Sequence, residues 1–378
     1  MKVTFVSNFL STHQIPFSFA MRELLGVGYV FVESFLQEKG SYKLSGKEYP
    51  FVLKAYDGKE SFRKAEQLVL GSNVVIFGSG DYRLIRRRIK HNKITFFYSE
   101  RIFKSHAPTI KDYVLRGIQK KIVYPWAGRN NYLLCASAYA AYDFEYCGLF
   151  PNRMYKWGYF TSKQANRQIK QSSSIPRLLW AGRMLGWKNA WLEECLAKQL
   201  LNENINFKMI IIGDGEKYAE LEKRIIKDGL GDWVEMTGSL SHKEVLAHMV
   251  NSDIFCFTSN HNEGWGMVLN EAMQAGCACV ASRVTGSTPF LIKDGENGLI
   301  FENENLRDFV KKVKQLILDV DLRQHLQAAA VETIENEWNA NVAAKRFIDL
   351  VEDINNRGES MRFVDGPCSR AEILKDDR

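Results

Sequence analysis

The chain has 378 residues, of which 46% are hydrophobic and 25% are charged, and its formal net charge is +7. This is the composition of a folded globular protein, and it excludes collagen-like, coiled-coil and intrinsically disordered chains. Domains usually hold roughly 100–200 residues, so two domains are expected, and no apolar run reaches the roughly 18 residues of a membrane-spanning helix.

The first part of the chain alternates short apolar runs with helical patterns. The predicted strands are 3–7, 29–33, 51–55, 74–77, 94–98 and 133–137. The predicted helices are 15–25, 60–70, 82–91 and 107–120. Alternation of this kind predicts a parallel sheet covered by helices on both faces.

A polar stretch rich in serine at its end, 161–174, has the composition of a linker. The alternation then restarts, and the chain ends in helices. The predicted strands are 177–181, 208–212, 234–236, 254–258, 279–281 and 299–301, and the final helices are 306–318, 322–335 and 342–354.

This pattern predicts an α/β protein with two doubly wound, Rossmann-like domains. We expect one domain at 1–160, the linker at 161–174, a second domain at 175–338, a further helix at 339–355 and a polar, loosely ordered tail at 356–378. Two such domains imply a cleft, and ligands of these sheets bind beyond the carboxyl ends of the strands.

Seven scattered cysteines without a Cys-x-x-Cys pair support neither a disulfide framework nor a zinc ribbon. The N-terminus enters a β-type stretch at once and lacks the features of a signal peptide. We therefore expect a cytoplasmic protein.

Charge is spread unevenly, with +12 in residues 1–160 and −5 in the remainder. One dense basic stretch contains Arg83, Arg86, Arg87, Arg88 and Lys90, and a looser one contains Arg101, Lys104, Lys111, Arg116, Lys120 and Lys121. They are either solvated helix faces or a surface for anionic lipid, which would place the protein on the inner face of a membrane. Nucleic acid is a weaker alternative, because no motif for it accompanies them.

The strongest motif follows the predicted strand 254–258. Glu263-Gly264-Trp265-Gly266-Met267 forms a glycine loop, and the helical pattern that begins there contains Glu271. The first N–H groups of such a helix form an anion site. The two carboxylates can hold hydroxyl groups of one ligand, or can be a solvated glutamate and a helix-start glutamate.

Two further motifs follow strands. Gly182-Arg183-Met184 with Lys188 places two cations beyond a strand end, where they can meet a phosphate or remain surface charges. Gly213-Asp214-Gly215 is a strand–turn–helix junction, and alone it is a weak signal.

In order and spacing, these three motifs resemble the GT-B glycosyltransferases of the retaining family 4. The resemblance implies that Arg183 and Lys188 bind the donor diphosphate, that Glu271 binds the ribose and that Glu263 contacts the transferred sugar. Gly213, Gly238, Gly264, Trp265, Gly266 and Met267 would complete the donor site. The implied donor is a nucleotide-diphosphate sugar, and no cofactor is expected. The resemblance also implies that the domain at 175–338 binds this nucleotide sugar, that the domain at 1–160 lies on the acceptor side, and that the helix at 339–355 crosses back to the first domain.

The chain departs from the family in three places. Gly286-Ser287-Thr288-Pro289-Phe290 lacks a usual carboxylate. Glu100 stands where the family often has histidine, as an acceptor-side or sugar-facing carboxylate or a partner of Arg101. The loop after the first strand has His13 instead of paired glycines, either as a site residue or as a polar helix start.

The expected activity is sugar transfer to a saccharide or polyprenyl-diphosphate-linked acceptor, in bacterial surface-polysaccharide synthesis. The alternatives are a related sugar-nucleotide epimerase, a glycosidase and a non-catalytic nucleotide-sugar or glycan-binding protein. Asp319-Val320-Asp321 is interpreted as a helix-junction cap, and no metal site is expected.

Overall fold

The computed structural model describes residues 1–36, 48–105, 109–118, 130–162 and 175–375. The chain forms two compact units, one of Met1–Lys163 with Trp338–Arg378 and one of Gln164–Glu337. Most of the predicted linker, 163–174, lies outside the described residues.

In the first unit, the described strands form one parallel sheet in the order β3-β2-β1-β4-β5-β6-β7. Its strands are β1 (Val3–Ser7), β2 (Tyr29–Glu33), β3 (Val52–Lys54), β4 (Val74–Phe77), β5 (Thr95–Ser99), β6 (Asn131–Cys135) and β7 (Met154–Lys156). Every residue of β1, β4 and β6 is buried, which explains their continuous apolar runs. The three-residue strand β7 is too short for a periodic signal, and the sequence did not predict it.

The sheet is covered by α1 (Ile15–Leu25), α2 (Lys59–Gly71), α3 (Tyr82–Lys90) and α4 (Ala140–Tyr146). Pro16 stands in the first turn of α1. The fixed φ of proline suits a helix there, and its missing N–H costs no hydrogen bond because the first N–H groups of a helix have no intrahelical acceptor. The helix predicted at 107–120 is described as a helical turn, Ile110–Asp112, and a π-helical turn, Tyr113–Gly117. Residues 107–108 and 119–120 lie outside the described residues.

The second unit contains a parallel sheet in the order β10-β9-β8-β11-β12-β13. Its strands are β8 (Arg177–Ala181), β9 (Lys208–Ile212), β10 (Val234–Gly238), β11 (Ile254–Phe257), β12 (Ala278–Ser282) and β13 (Leu299–Phe301). Its helices are α5 (Trp191–Asn202), α6 (Tyr218–Lys227), α7 (His242–Val250), α8 (Met267–Gln274), α9 (Thr288–Leu291), α10 (Leu306–Leu318) and α11 (Val320–Asn336).

In each sheet, the order of the strands reverses at the strand that comes first in the chain. This confirms the predicted pair of doubly wound α/β units. The reversal lies between β1 and β4 in the first sheet and between β8 and β11 in the second. In open α/β sheets, ligands bind beyond the carboxyl ends of the strands at this point.

The C-terminal helix α12 (Ala340–Arg357) belongs to the first unit, where it packs against α1. The ring of Phe347 contacts Phe17, Phe96 and Trp157, with centroids 5.1–6.2 Å apart. Trp338, just before the helix, stacks on Phe160. The last helix therefore completes the core of the first unit.

The tail beyond α12 is ordered where the structure describes it, so the expected loose tail is wrong. Cys368 and Ser369 are buried. The Lys156 N–H donates to the Ser369 carbonyl, and the Cys368 N–H donates to the Lys156 carbonyl, each at 2.8 Å. The tail is held because it pairs with β7, an edge strand with open backbone groups.

Candidate functional site

The loops after β8 and β11 are tied together by buried hydrogen bonds. The Trp180 indole donates to Thr258 Oγ1 at 2.9 Å, and that hydroxyl donates to the Lys188 carbonyl at 2.9 Å. The Asn260 N–H donates to the Trp187 carbonyl at 2.9 Å. Because these two strands flank the point of reversal, the bonds fix the loops where a ligand of this sheet would bind.

Lys188 and Glu263 form an ion pair between these loops. Their side chains are only 12% and 11% exposed. Glu263 also accepts a hydrogen bond from Ser259 Oγ at 3.0 Å, and the Lys188 ammonium lies 4.6 Å from the centre of the Trp187 ring. The structure thus brings together a cation and a carboxylate that the sequence assigned to one donor site.

Arg183 differs from Lys188 although both come from the same loop. Its side chain is exposed, and it has no ion-pair partner among the residues that the structure describes. One predicted phosphate-binding cation is therefore balanced by a carboxylate, whereas the other is available to an anion.

Glycine is required where the loops after β8 and β9 approach each other. Gly213 has φ +139°, and a Cβ built on it would lie 1.8 Å from the Gly182 carbonyl oxygen. Its N–H donates to the Gly238 carbonyl at 2.9 Å. The Gly-x-Gly motif therefore serves close packing beneath the candidate site.

The helix α8 begins at the glycine loop and presents its N-terminus without a side-chain cap in the described structure. The capping residue, Gly266, has φ +89°, and a Cβ there would lie 2.2 Å from the Phe257 ring. Gly264 is buried, whereas Gly266 and Met267 are half-buried. The first N–H groups of an uncapped helix attract anions.

Trp265, a predicted donor-site residue, has its side chain in the protein core. Its side chain is 1% exposed, packs against Phe290 and donates from the indole to Asn270 Oδ1 at 2.8 Å. The indole is a core group, which leaves only the backbone at this position to face a ligand.

Glu271 pairs with His242, which sequence analysis missed. Glu271 Oε1 lies 2.8 Å from His242 Nε2, and the carboxylate raises the pKa of the imidazole. Since His242 is the first residue of α7, the pair joins Glu271 to the loop that follows Gly238, a predicted donor-site residue at the end of β10. A lone histidine at a helix start gives no motif, so only the fold reveals this contact.

In the first unit, Tyr159 connects the two predicted acceptor-side residues. The His13 ring stacks on Tyr159 with centroids 4.9 Å apart and planes 4° apart. The Tyr159 hydroxyl donates to Glu100 Oε1 at 2.5 Å, and Lys104 lies 2.6 Å from the other carboxylate oxygen. Burial and the nearby carboxylate raise the pKa of Tyr159. No sequence motif marked this tyrosine.

The alternative in which Glu100 pairs with Arg101 is wrong. Arg101 is buried and faces Asp143 at 3.5 Å, and the same carboxylate accepts the Ile102 and Phe103 N–H groups. Burial raises the pKa of Asp143. Arg101 is therefore a structural residue, and Glu100 has the partners described above.

The dense basic stretch on α3 is mostly committed to the fold. Arg88 is fully buried, and its guanidinium donates to the Val69, Ser72, Asn73 and Ile94 carbonyls at 2.8–3.0 Å. Arg83 pairs with Asp81, and Arg87 pairs with Glu66. These contacts bury Arg88 and pair Arg83 and Arg87 with carboxylates, while Arg86 and Lys90 stay exposed on α3.

The described residues contain no group of three metal-binding side chains and no helix long and apolar enough to cross a membrane. The predicted helix-junction role of Asp319 is confirmed, because its carboxylate accepts the Leu322 N–H at the start of α11.

Part of the chain, which includes most of the second unit, matches a known family model. Residues 162–333 match the family model described as Glycosyl transferases group 1. This stretch is a glycosyl transferases group 1 domain. The match covers the ion pair, the glycine loops and α8.

Curated relatives resemble this group 1 domain in part of their length. An uncharacterized glycosyltransferase of Methanocaldococcus jannaschii is 35% identical over 124 residues, which are 33% of this chain and 34% of the relative. A GDP-mannose-dependent alpha-(1-6)-phosphatidylinositol monomannoside mannosyltransferase of Mycobacterium tuberculosis is 27% identical over 149 residues, 38% of each chain. The chain thus spans little more than a third of these relatives.

Solved structures extend the likeness to most of the chain. The Anabaena protein HepE, crystallised in complex with UDP, covers 93% of this chain and 100% of its own, with a TM-score of 0.68 and 13% identity. This likeness shows the fold of the chain.

Proposed function

We propose that the chain is a retaining glycosyltransferase that moves a sugar from a nucleotide-diphosphate sugar to a saccharide or polyprenyl-diphosphate-linked acceptor. The group 1 domain supports the reaction class, and the UDP bound to HepE supports the donor class. The mannosyltransferase relative, named for a phosphatidylinositol-linked acceptor, supports an acceptor attached to lipid.

The observation that carries the proposal is the largely buried Lys188–Glu263 pair at the point where the strand order of the second sheet reverses. A donor diphosphate competes with Glu263 for the Lys188 ammonium. The carboxylate released from that pair can accept hydrogen bonds from hydroxyls of the sugar. Binding of the donor thereby places both side chains in their working positions.

In the proposed reaction, the bond between the sugar carbon and the phosphate oxygen breaks, and negative charge develops on the diphosphate. Arg183, Lys188 and the N–H groups at the start of α8 stabilise that charge. The acceptor hydroxyl attacks the same face of the sugar, and its proton passes to the leaving phosphate oxygen. Since two cations and a helix N-terminus supply the positive charge, the proposed reaction needs no metal ion.

The remaining donor contacts follow from the pair of Glu271 and His242. Glu271 is proposed to hold the ribose hydroxyls, and the loop after β10, with Gly238, is proposed to line the base. Below the raised pKa of His242, the protonated imidazole competes for this carboxylate.

On the acceptor side, we propose that His13 and Glu100 meet the acceptor, with Tyr159 holding them together. The proposed place of action is the inner face of the cytoplasmic membrane, in surface-polysaccharide synthesis. The basic first part of the chain, with +12 in residues 1–160, supports an anionic partner there.

Donor turnover tests the proposed function. A thermal-shift screen of nucleotide sugars identifies the donor, and isotope-labelled donor is then followed with and without membrane-derived acceptors. Acceptor-dependent transfer supports the proposal. A changed sugar without acceptor would mean an epimerase, and binding without nucleotide release would mean a non-catalytic protein.

We predict that Lys188→Ala lowers kcat by about 100- to 1,000-fold, because one stabilising donor to the leaving diphosphate is lost. Lys223→Ala, an exposed lysine on α6, is the matched control and should keep native turnover. Equal turnover in both variants would contradict the role of Lys188. Steady-state kinetics with the identified donor make the measurement.

A further inference from the structure

The group 1 domain contains a cavity of about 610 Å³ at the amino ends of its strands. It is lined by Arg177 at the start of β8, by residues 208–210 of β9, by residues 231–235 before and in β10, and by the end of α7 with the turn that follows it. These three strands have five residues each, which makes them about 16 Å long. Because Arg183, Lys188 and Gly213 follow the carboxyl ends of the strands, the cavity is separate from the candidate donor site.

Backbone and side-chain hydrogen bonds fix the wall of the cavity formed by β9 and β10. Arg177 pairs with Lys208 across β8 and β9, and the Met209 N–H donates to the Trp233 carbonyl at 2.8 Å. The Lys208 ammonium donates to the Asp232 carbonyl at 2.6 Å and so ties β9 to the turn before β10. The position of Trp233 at the cavity is therefore set by the sheet itself.

Several polar groups of the cavity keep unused hydrogen-bonding capacity. Trp233 is half-buried, and its indole N–H has no hydrogen-bond partner in the described part of the chain. Arg177, Asp232 and Glu235 are exposed, and their charged groups make no ion pair with any described residue. An aromatic side chain with a polar edge, set beside a few converging donors and acceptors, is typical of ligand sites.

The charges around the cavity favour a neutral ligand. Arg177 and Lys208 contribute two positive charges. Asp232 and Glu235 contribute two negative charges, so these four groups sum to zero. An anion would lie beside two carboxylates and a cation beside two bases, and each would lose hydration without full compensation. His248, in the wall formed by α7, adds a charge only when its imidazole is protonated.

A saccharide has the chemistry that these groups can bind. Each hydroxyl of a sugar both donates and accepts a hydrogen bond, so it can pair with a carboxylate and a guanidinium at once. The C–H face of a sugar ring is apolar and can pack on the ring of Trp233. The volume of about 610 Å³ also lies within the range of about 300–1,000 Å³ that small-molecule sites occupy.

We propose that this cavity binds a neutral saccharide, with Trp233 as the stacking surface and with Arg177 and Glu235 as hydrogen-bonding partners. The site goes beyond the proposed function, because no candidate donor residue lines the cavity. In the proposed function, the saccharide held here would be a distant part of the glycan and not the reacting sugar.

Saturation-transfer NMR and calorimetry on the full chain test the proposal, with maltose, cellobiose and lactose as the probes. We expect the native protein to bind at least one of them and Trp233→Ala to weaken that binding about tenfold or more, because the stacking surface is lost. The matched control is Trp191→Ala, which changes a tryptophan of the same domain that is 36% exposed and lies outside the cavity. It should bind like the native protein.

A second variant, Arg177→Ala/Glu235→Ala, keeps the indole and removes two of the hydrogen-bonding partners. Both residues are exposed, so the change should cost the fold little, and this variant decides the test if Trp233→Ala fails to fold by circular dichroism. The proposal is overturned by absence of native binding, by native-like binding in either folded variant, or by an equal loss in Trp191→Ala. Tighter, Arg177-dependent binding of inorganic phosphate would also overturn it, because the cavity would then be an anion site.

Donor binding separates this proposal from the proposed function. Nucleotide-sugar binding, measured by thermal shift on the same variants, should stay native because the changes lie at the amino ends of the strands. Donor binding in a native protein that binds none of the disaccharides would reject the cavity site alone. Saccharide binding that depends on Trp233, in a protein that binds no nucleotide sugar, would reject the glycosyltransferase proposal and leave the cavity site established.

Discussion

At the residue scale, the second unit depends on glycines whose missing side chains permit close backbone contact. Gly213 and Gly215 both have positive φ, and both face backbone atoms of the 182–184 loop. Because of this contact, the end of β9 packs directly against the loop that contains Arg183. A side chain here would move the cation as well as destabilise the turn.

We predict that Gly213→Ala destabilises the protein by more than about 2 kcal/mol, because it combines unfavourable φ with a clash at 1.8 Å. Gly229→Ala is the control, since Gly229 also has positive φ but no heavy atom within 4 Å of the built Cβ. It should cost only about 1 kcal/mol. Urea unfolding measures both, and similar losses would contradict the steric argument.

A second residue-scale feature is the buried carboxyl of Glu193 in the first turn of α5. The residue is fully buried, and the thiol of Cys256 is its polar neighbour. Loss of hydration raises the pKa of Glu193 from 4.5 to about 8. The folded protein therefore holds this carboxyl protonated at neutral pH, whereas the unfolded chain ionises it.

The sign of the pH effect follows from this difference. Unfolding releases a proton between about pH 4.5 and pH 8, so the free energy of unfolding falls across that range and levels off above it. We predict that Glu193→Gln removes this decline and leaves the variant more stable relative to native by about 3 kcal/mol at pH 7 than at pH 4.5. Urea unfolding at several pH values measures it. The exposed Glu235→Gln control should follow the native curve, and a Glu193→Gln curve parallel to native would contradict the prediction.

At the element scale, α3 shows that a helix with a basic sequence can direct one of its cations into the protein core. Its last turn contains Arg87, Arg88 and Lys90. Arg88 turns inward and binds carbonyl groups at the ends of α2 and before β5. Burial lowers its pKa to about 10, so it remains charged at pH 7.

We predict that Arg88→Ala destabilises the first unit by about 3–5 kcal/mol, because it leaves several buried carbonyl groups without donors. Arg86→Ala, an exposed position on the same helix, should change stability by less than about 0.5 kcal/mol. Thermal and urea unfolding measure the pair. A small effect at Arg88 would restore α3 as a candidate binding surface.

At the scale of the whole molecule, the chain leaves the first unit after residue 163 and returns to it at Trp338. The first unit is therefore built from segments distant in sequence. Its core includes Phe347 of α12, and its last strand is covered by the tail. The native core of this unit is therefore complete only when the C-terminal segment is in place.

We predict that Phe347→Ala costs about 3–5 kcal/mol of stability, since the ring is fully buried among aromatic side chains. Amide hydrogen exchange should show the loss in β1 and β5 of the first unit. The exposed control Val364→Ala should leave exchange unchanged. Unchanged exchange in Phe347→Ala would mean that α12 is dispensable for that core.

The sequence located most elements because their signals are local. The bounds of β1, β2, β4 and β8 agree with prediction, as do those of α1 and α10. A buried parallel strand gives a continuous apolar run in the sequence, and a helix gives apolar residues at a period of about 3.6 residues. Both signals are present whichever elements pack beside them. Short β7 was missed because three residues give no periodic signal. The ordered tail was missed because its pairing with β7 spans more than 200 residues.

For the candidate sites, the sequence proposed Arg183, Lys188, Glu263 and Glu271 from motif spacing. Their roles stay proposals, while the structure adds which partners they have. His242 and Tyr159 escaped prediction because a single polar residue without a motif gives no signal. Their importance depends on partners 29 and 59 positions away in the chain.

The amino-acid sequence by itself determined where strands and helices form and that two doubly wound sheets result, since these follow from short-range periodicity and burial. Tertiary structure decided which charges remain at the surface. Arg88 and Arg101 belong to the two basic stretches of the sequence, yet each is buried among groups that the fold supplies. Charge along a sequence does not specify the environment of a side chain, because desolvation and partners depend on long-range contacts.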